Sequence, residues 1–236
     1  MKILLNVPRY KQPPMECGPT CLKEVFDFYN YKIDLKTIIK GTKSEKKYID
    51  WDYKLGLFAL KCGFKVDVYT LTTDIFDPTW YNFKKDVLLK QLKKRLNFVS
   101  KNNKKDVKDG YIWWWYKPAL ESIIKFIKAG GNIKFVPISK NLIIKLLKKG
   151  IPIIAPLNST LIYKIRRVYR NNFDDIKGEY VGHFIVISGY DSRKDKFILV
   201  DSDRMADKTK GIIKVDADLL INSIIMHIGD LIVVKK

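Results

Sequence analysis

Apolar and polar positions alternate with two different periods along this chain. After Cys17, the residues Leu22, Val25, Phe26 and Tyr29 recur at helical spacing, which predicts a helix from about Cys17 to Tyr31. Lys32 to Ile39 reads as a connector or short helix. A second helix is predicted over 44–62, with Tyr48, Trp51, Leu55, Phe58 and Ala59 on one face and Gly63 as its stop. Phe64 to Leu71 alternates and predicts a strand. Val87 to Val99 is amphipathic and helical with a lysine-rich outer face, Ser100 to Gly110 is a polar loop, and Pro118 to Ala129 is a helix closed by Gly130 and Gly131.

The last hundred residues change character. Ile133 to Val136 predicts a short strand. Ser139 to Lys149 predicts a helix with Ser139 as N-cap and Gly150 as stop. Ile151 to Leu157 is an apolar strand, and Asn158 to Gly178 is basic and irregular or helical. Strands follow at His183–Tyr190, Lys196–Asp201, Gly211–Val215 and Leu231–Val234. Helices early and strands late predict an α+β fold, N-terminal helices packed on a C-terminal antiparallel sheet. No repeat or linker divides the chain, so one domain over 1–236 is expected, with a helical insertion at about 74–130.

Composition narrows the class. An apolar content of 47% supports a sizeable core. Three cysteines do not make a disulfide framework and suit a reducing compartment. The N-terminal apolar run is too short for a signal peptide, and no stretch approaches the ~18 apolar residues of a spanning helix. A soluble, cytoplasmic protein is expected. With 45 basic and 25 acidic residues the formal charge is +20. That excess suits an anionic partner such as nucleic acid, a membrane or an acidic protein. Lysine spread among Ile and Asn fits a solvated surface equally well.

The candidate chemistry gathers around Gln12, Cys17, His183 and Asp201. Cys17 opens a helix, where the positive end of the dipole favours a thiolate. Gly18 keeps the approach to sulfur open, and Pro19 suits the first helical turn. Gln12 is near enough upstream to present an amide N–H to an oxyanion. Cys21, one turn on, reads as a small buried residue of the helix. His183 opens an apolar strand and Asp201 ends the next one. Strand register decides whether they meet. An odd hairpin loop puts His183 opposite Asp203 and diagonal to Asp201 on one face. An even loop turns both carboxylates away unless a bulge intervenes. His227, apolar on both sides, reads as packing or surface. Trp113, Trp114 and Trp115 form a row that suits either core filling or a substrate groove.

Together Gln12, Glu16-Cys17-Gly18-Pro19-Thr20-Cys21-Leu22, Gly182-His183-Phe184, Gly189-Tyr190-Asp191 and Val200-Asp201 resemble the C39 and C39-like cysteine peptidases of the papain-like superfamily. The likeness covers roughly 7–70 and 133–203 and is weak over 74–130. It implies Cys17 as nucleophile, His183 as base and then acid, Asp201 as the residue orienting the imidazole, and Gln12 with the Cys17 N–H as oxyanion hole. Many relatives have Asp-Pro after the last strand. Here Asp201-Ser202-Asp203 stands there, so Asp203 is a second candidate for the orienting role. No transporter segment follows, so the double-glycine leader substrate of peptide exporters is not carried over.

The expected function is therefore a cysteine peptidase or amide hydrolase acting on a peptide or amide substrate through a thioester, with no metal and no cofactor. Two alternatives stand beside it. One is acyl transfer to an amine at the same site. The other is a basic non-catalytic binding protein for nucleic acid or an acidic partner, supported by charge alone.

Overall fold

A computed structural model describes residues 2–43, 51–101 and 113–236. The chain opens with β1 (Lys2–Leu4) and a long extended lead-in, then enters α1 (Cys17–Phe28). Next come α2 (Leu35–Thr42), started by the Asp34 side chain accepting from Thr37 N–H, and α3 (Trp51–Lys61). The expected helix over 44–62 falls partly outside the described residues. β2 (Lys65–Thr70), α4 (Lys85–Lys101), α5 (Trp113–Lys128) and β3 (Asn132–Lys134) follow. The backbone of Trp113 to Trp115 begins α5. Their side chains, and the loop expected over 100–110 beyond Lys101, lie outside the described residues.

The second half runs through α6 (Lys140–Lys148), β4 (Ile153–Asn158), α7 (Ser159–Tyr163), and a small hairpin of β5 (Val168–Tyr169) and β6 (Asn172–Phe173). Ser139 caps α6 by accepting from Leu142 N–H at 3.3 Å. β7 (Gly182–Asp191), β8 (Lys196–Val200), β9 (Ile212–Asp216), α8 (Ala217–Ile225) and β10 (Asp230–Lys235) complete it.

The sheet departs from the predicted arrangement. Its order is β3-β2-β10-β4-β7-β8-β9, with β1 added to the far half of β7. β2 and β3 pair in parallel, so the sheet is mixed rather than antiparallel, and it draws strands from the helical half of the chain. Nor are the helices all N-terminal. One face carries a core of α1, α3, α4 and α5 residues packed on Ile154, Val186, Val200, Ile232 and Val234. The other carries α6 and α8 packed on Ile153, Ile185, Leu199, Leu231 and Val233. Burial on both faces explains why the central strands read as continuous apolar runs. The β4–β10 ladder covers only Ile153 and Ile154, and Pro156, two residues on, has no N–H to prolong it.

The β7–β8 register positions the site. The hairpin pairs Asp191 with Lys196, leaving an even loop, and that alone would turn His183 and Asp201 apart. Between Ile187 and Gly189 the register shifts by one residue, and beyond the shift Val186 faces Val200. A bulge at Ser188 thus restores the phase, with Asp201 diagonal to His183 on one face. Ser188 is held by its hydroxyl donating to Ile198 O at 3.2 Å and by its carbonyl accepting from Leu5 N–H at 2.8 Å. Gly189 is required beside it: a Cβ there would lie 2.5 Å from Ile3 O in β1.

Candidate active site

Three strands and one helix end at the same place. Cys17 is the first residue of α1, half-buried, and no side chain caps that helix. Its first-turn N–H groups therefore keep their pull on negative charge. The turn before it is closed by Glu16 N–H donating to Pro13 O at 3.1 Å, with Met15 at φ 66°. That left-handed residue reverses the chain, so that Gln12 and Cys17 share the turn.

His183 is buried at the start of β7, with Asp201 hydrogen-bonded to its ring and Cys17 near enough to raise its pKa. Its Nε2 lies 2.8 Å from Asp201 Oδ1. An ionised carboxylate only accepts, so Nε2 carries the proton and Nδ1 is left for the sulfur. Burial pulls the imidazole pKa down, but the bonds to Asp201 and Cys17 and their charges outweigh it and raise it to about 10. Asp201 is fully buried. Burial pushes its pKa up, yet His183, the Tyr163 hydroxyl and the Asp203 N–H hold it below the usual carboxylate value.

Asp201 is over-determined. Oδ1 also accepts from Asp203 N–H at 2.8 Å, and Oδ2 accepts from the Tyr163 hydroxyl. Its carbonyl takes the Arg9 Nε–H at 3.0 Å. Asp203 has other duties: Oδ1 accepts from Met205 N–H at 2.8 Å, capping the turn Arg204–Thr209, and Oδ2 faces Gln12 Nε2 at 3.3 Å. The carboxylate beside the imidazole is that of Asp201, not Asp203.

Gln12 is held from both ends. Its backbone N–H donates to Ser202 O at 3.1 Å, and its Oε1 accepts from the Ser202 hydroxyl at 2.8 Å. Accepting there turns the NH₂ group the other way, with one of its two hydrogens toward Asp203. The strap carrying Gln12 is tied to α1 by Tyr10, whose N–H donates to Glu24 Oε1 at 3.0 Å and whose hydroxyl donates to Asp27 Oδ2 at 2.5 Å.

Tyr163, Ser202 and Arg9 escaped the sequence reading. Each acts through a partner that is 38 to 192 residues away, and none stands in a short motif. Cys21 is fully buried, and burial raises its thiol pKa. His227 bonds Tyr180 rather than the group of Cys17, His183 and Asp201. It follows α8, sits against Gly182, and its Nδ1 lies 3.1 Å from the Tyr180 hydroxyl.

A family model described as the Peptidase_C39 like family matches residues 4–218. The chain belongs to that family. Membership points to cysteine peptidase chemistry on peptides, and the matched span contains all four candidate residues. Among solved structures, one described as a "putative C39-like peptidase" from Bacillus anthracis matches with a TM-score of 0.42 and 16% identity, over 100% of this chain and 98% of that one. No curated protein matches. Among the described residues, no helix is long and apolar enough to cross a membrane.

Proposed function

We propose that this member of the C39-like family is a cysteine peptidase that cleaves a peptide or amide bond through Cys17, His183 and Asp201. The observation that carries this reading is His183 Nε2 bonded to Asp201 Oδ1 at 2.8 Å, with Cys17, at the start of α1, acting on the same imidazole. Cys17 and His183 react as a thiolate–imidazolium pair, and the thiolate attacks the carbonyl carbon. The negative charge moves to the carbonyl oxygen, which meets the Gln12 NH₂ and the Cys17 N–H. The imidazolium, steadied by Asp201, gives its proton to the leaving amine as the C–N bond breaks. Water then hydrolyses the thioester, with His183 taking its proton as the Cys17 thiolate leaves, which restores the pair. A reducing, cytoplasmic compartment suits the three free thiols.

Turnover of a fluorogenic peptide library by the wild-type and Cys17→Ala proteins tests this. The expected result is complete loss of turnover in a variant with unchanged circular dichroism. A thiol-directed electrophile should label Cys17 well before Cys21 and Cys62. Retained hydrolysis in Cys17→Ala, or equal labelling of the three thiols in the folded protein, would overturn the reading.

A further inference from the structure

A cavity of about 700 Å³ lies outside the triad, none of whose members lines it. It opens where β2 ends and β10 begins, at the end of the sheet where β7 starts with Gly182 and His183. β10, β4 and β7 are successive strands, so Asp230 lies about two strand spacings, or roughly 10 Å, from β7. His227 links the two places: it lines the cavity and packs against Gly182, the residue before His183.

Its lining has an unusual charge. The chain holds 45 lysines and arginines, yet among the described residues none lines this cavity. Three carboxylates do: Asp52, Asp74 and Asp230. His227 adds no positive charge, since burial lowers its pKa to about 4. Leu71, Ile123, Ile225 and Ile228 supply apolar wall.

Two polar atoms in the wall lack partners among the described residues. Asp230 is 1% exposed and its Oδ1 accepts no hydrogen bond, while Tyr53 is 6% exposed and its hydroxyl has no partner. Buried polar atoms are ordinarily satisfied, and leaving one bare is costly. Burial raises the Asp230 pKa to about 7. An apolar-walled space of this size with a few convergent polar atoms has the build of a ligand pocket.

We propose that this cavity binds an aliphatic cation, an alkylammonium whose methylenes lie along the isoleucines and whose charge meets Asp230 with Asp52 and Asp74 near. Joined to His183 through His227 and Gly182, it would take a lysine-type side chain of the substrate. That last identification rests on the peptidase reading; the binding of the cation does not. Donation from an ammonium satisfies a lone carboxylate oxygen more strongly than a neutral donor does.

The test titrates hexylammonium chloride and hexan-1-ol, of equal length, into the full-chain wild-type protein by calorimetry. Saturable binding of the ammonium, with the alcohol at least about tenfold weaker, is expected. Asp230→Asn should erase that preference. If the variant does not fold, the wild-type comparison stands alone. Equal binding of the two probes, or binding of neither, overturns the proposal. Paired peptides with lysine or norleucine at each position in turn identify the source. A lysine preference at one position, competed by hexylammonium, marks a substrate side chain. Ammonium binding without such a preference marks a free amine. Absence of all peptide turnover would count against the peptidase reading and leave the calorimetric result untouched.

Discussion

His183 Nε2 lies 2.8 Å from Asp201 Oδ1, across two strands that come into phase only through the bulge at Ser188. The raised imidazole pKa follows from that bond and from Cys17. A histidine whose folded pKa is raised gains stability as its charged form, fully present below 6.5 and lost as pH rises through about 10. Activity that needs the imidazolium should fall with the same alkaline limb. In Asp201→Ala the limb should move down in pH, because one of the two anionic partners is gone. The check is kcat/KM against pH for both proteins. An alkaline limb unchanged in the variant would separate Asp201 from the imidazole.

Tyr163 donates to the other oxygen of the same carboxylate. Tyr163→Phe leaves the ring and removes one donor to a buried anion, a loss of about 1.5–3 kcal/mol for a charged bond. The expected outcome is kcat lowered by about 10- to 100-fold with KM nearly constant. A change confined to KM would place Tyr163 in substrate binding instead.

Gln12 and Ser202 are joined twice, Gln12 N–H donating to Ser202 O and the Ser202 hydroxyl donating to Gln12 Oε1. Gln12→Ala should lower kcat by about 10²–10³, the usual effect of losing one oxyanion donor. Ser202→Ala keeps the donor and loses the bond that aims it at 2.8 Å. Its effect should be smaller, near fivefold for about 1 kcal/mol. Steady-state kinetics on the two variants and their double tests the coupling: the double should resemble Gln12→Ala alone. Fully additive effects would mean that Ser202 does not act through Gln12.

How far the site could be read in advance varies residue by residue. The Cys17 helix was legible because Leu22, Val25 and Phe26 bury one face of a single local element. The neighbourhood of His183 and Asp201 was legible only as a choice between registers. The loop is even, and the extra residue at Ser188 sits mid-strand among buried positions, where no turn signal marks it. β2 was legible as a strand, but its seat between β3 and β10 was not. That seat depends on pairings with residues as far away as Lys235. The roles of Asp201 and Asp203 separate only when Met205 N–H is seen to need a cap.

Gly189 ties the bulge to β1. A Cβ there would stand 2.5 Å from Ile3 O, a backbone atom that cannot rotate away. Gly189→Ala should therefore push β1 off β7 and destabilise the fold by about 1–3 kcal/mol. Since the same strand segment sets the register below it, kcat should fall as well. Chemical denaturation and kinetics at a temperature where the variant is fully folded separate the two effects. Full activity in the folded variant would show that the bulge holds without β1.

Glu24 is buried under the site two turns beyond Cys17, with Oε1 accepting from Tyr10 N–H and Oε2 without a partner among the described residues. Burial raises its pKa from 4.5 to about 8, against the pull of the Tyr10 N–H, Arg9 and His183 and with the push of Asp201. A carboxyl whose folded pKa is raised stabilises the fold as its neutral form. That contribution is fully present below 4.5 and is lost as pH rises through about 8. Glu24→Gln keeps the acceptor for Tyr10 and removes the buried charge. It should be close to neutral in stability at pH 4, gain up to about 1.4 kcal/mol per pH unit on the way up, and level off above pH 8. Denaturant unfolding of both proteins from pH 4 to 9 measures this. A difference that stays flat over that range would mean that Glu24 is ionised in the folded protein throughout, and that an unseen donor meets Oε2.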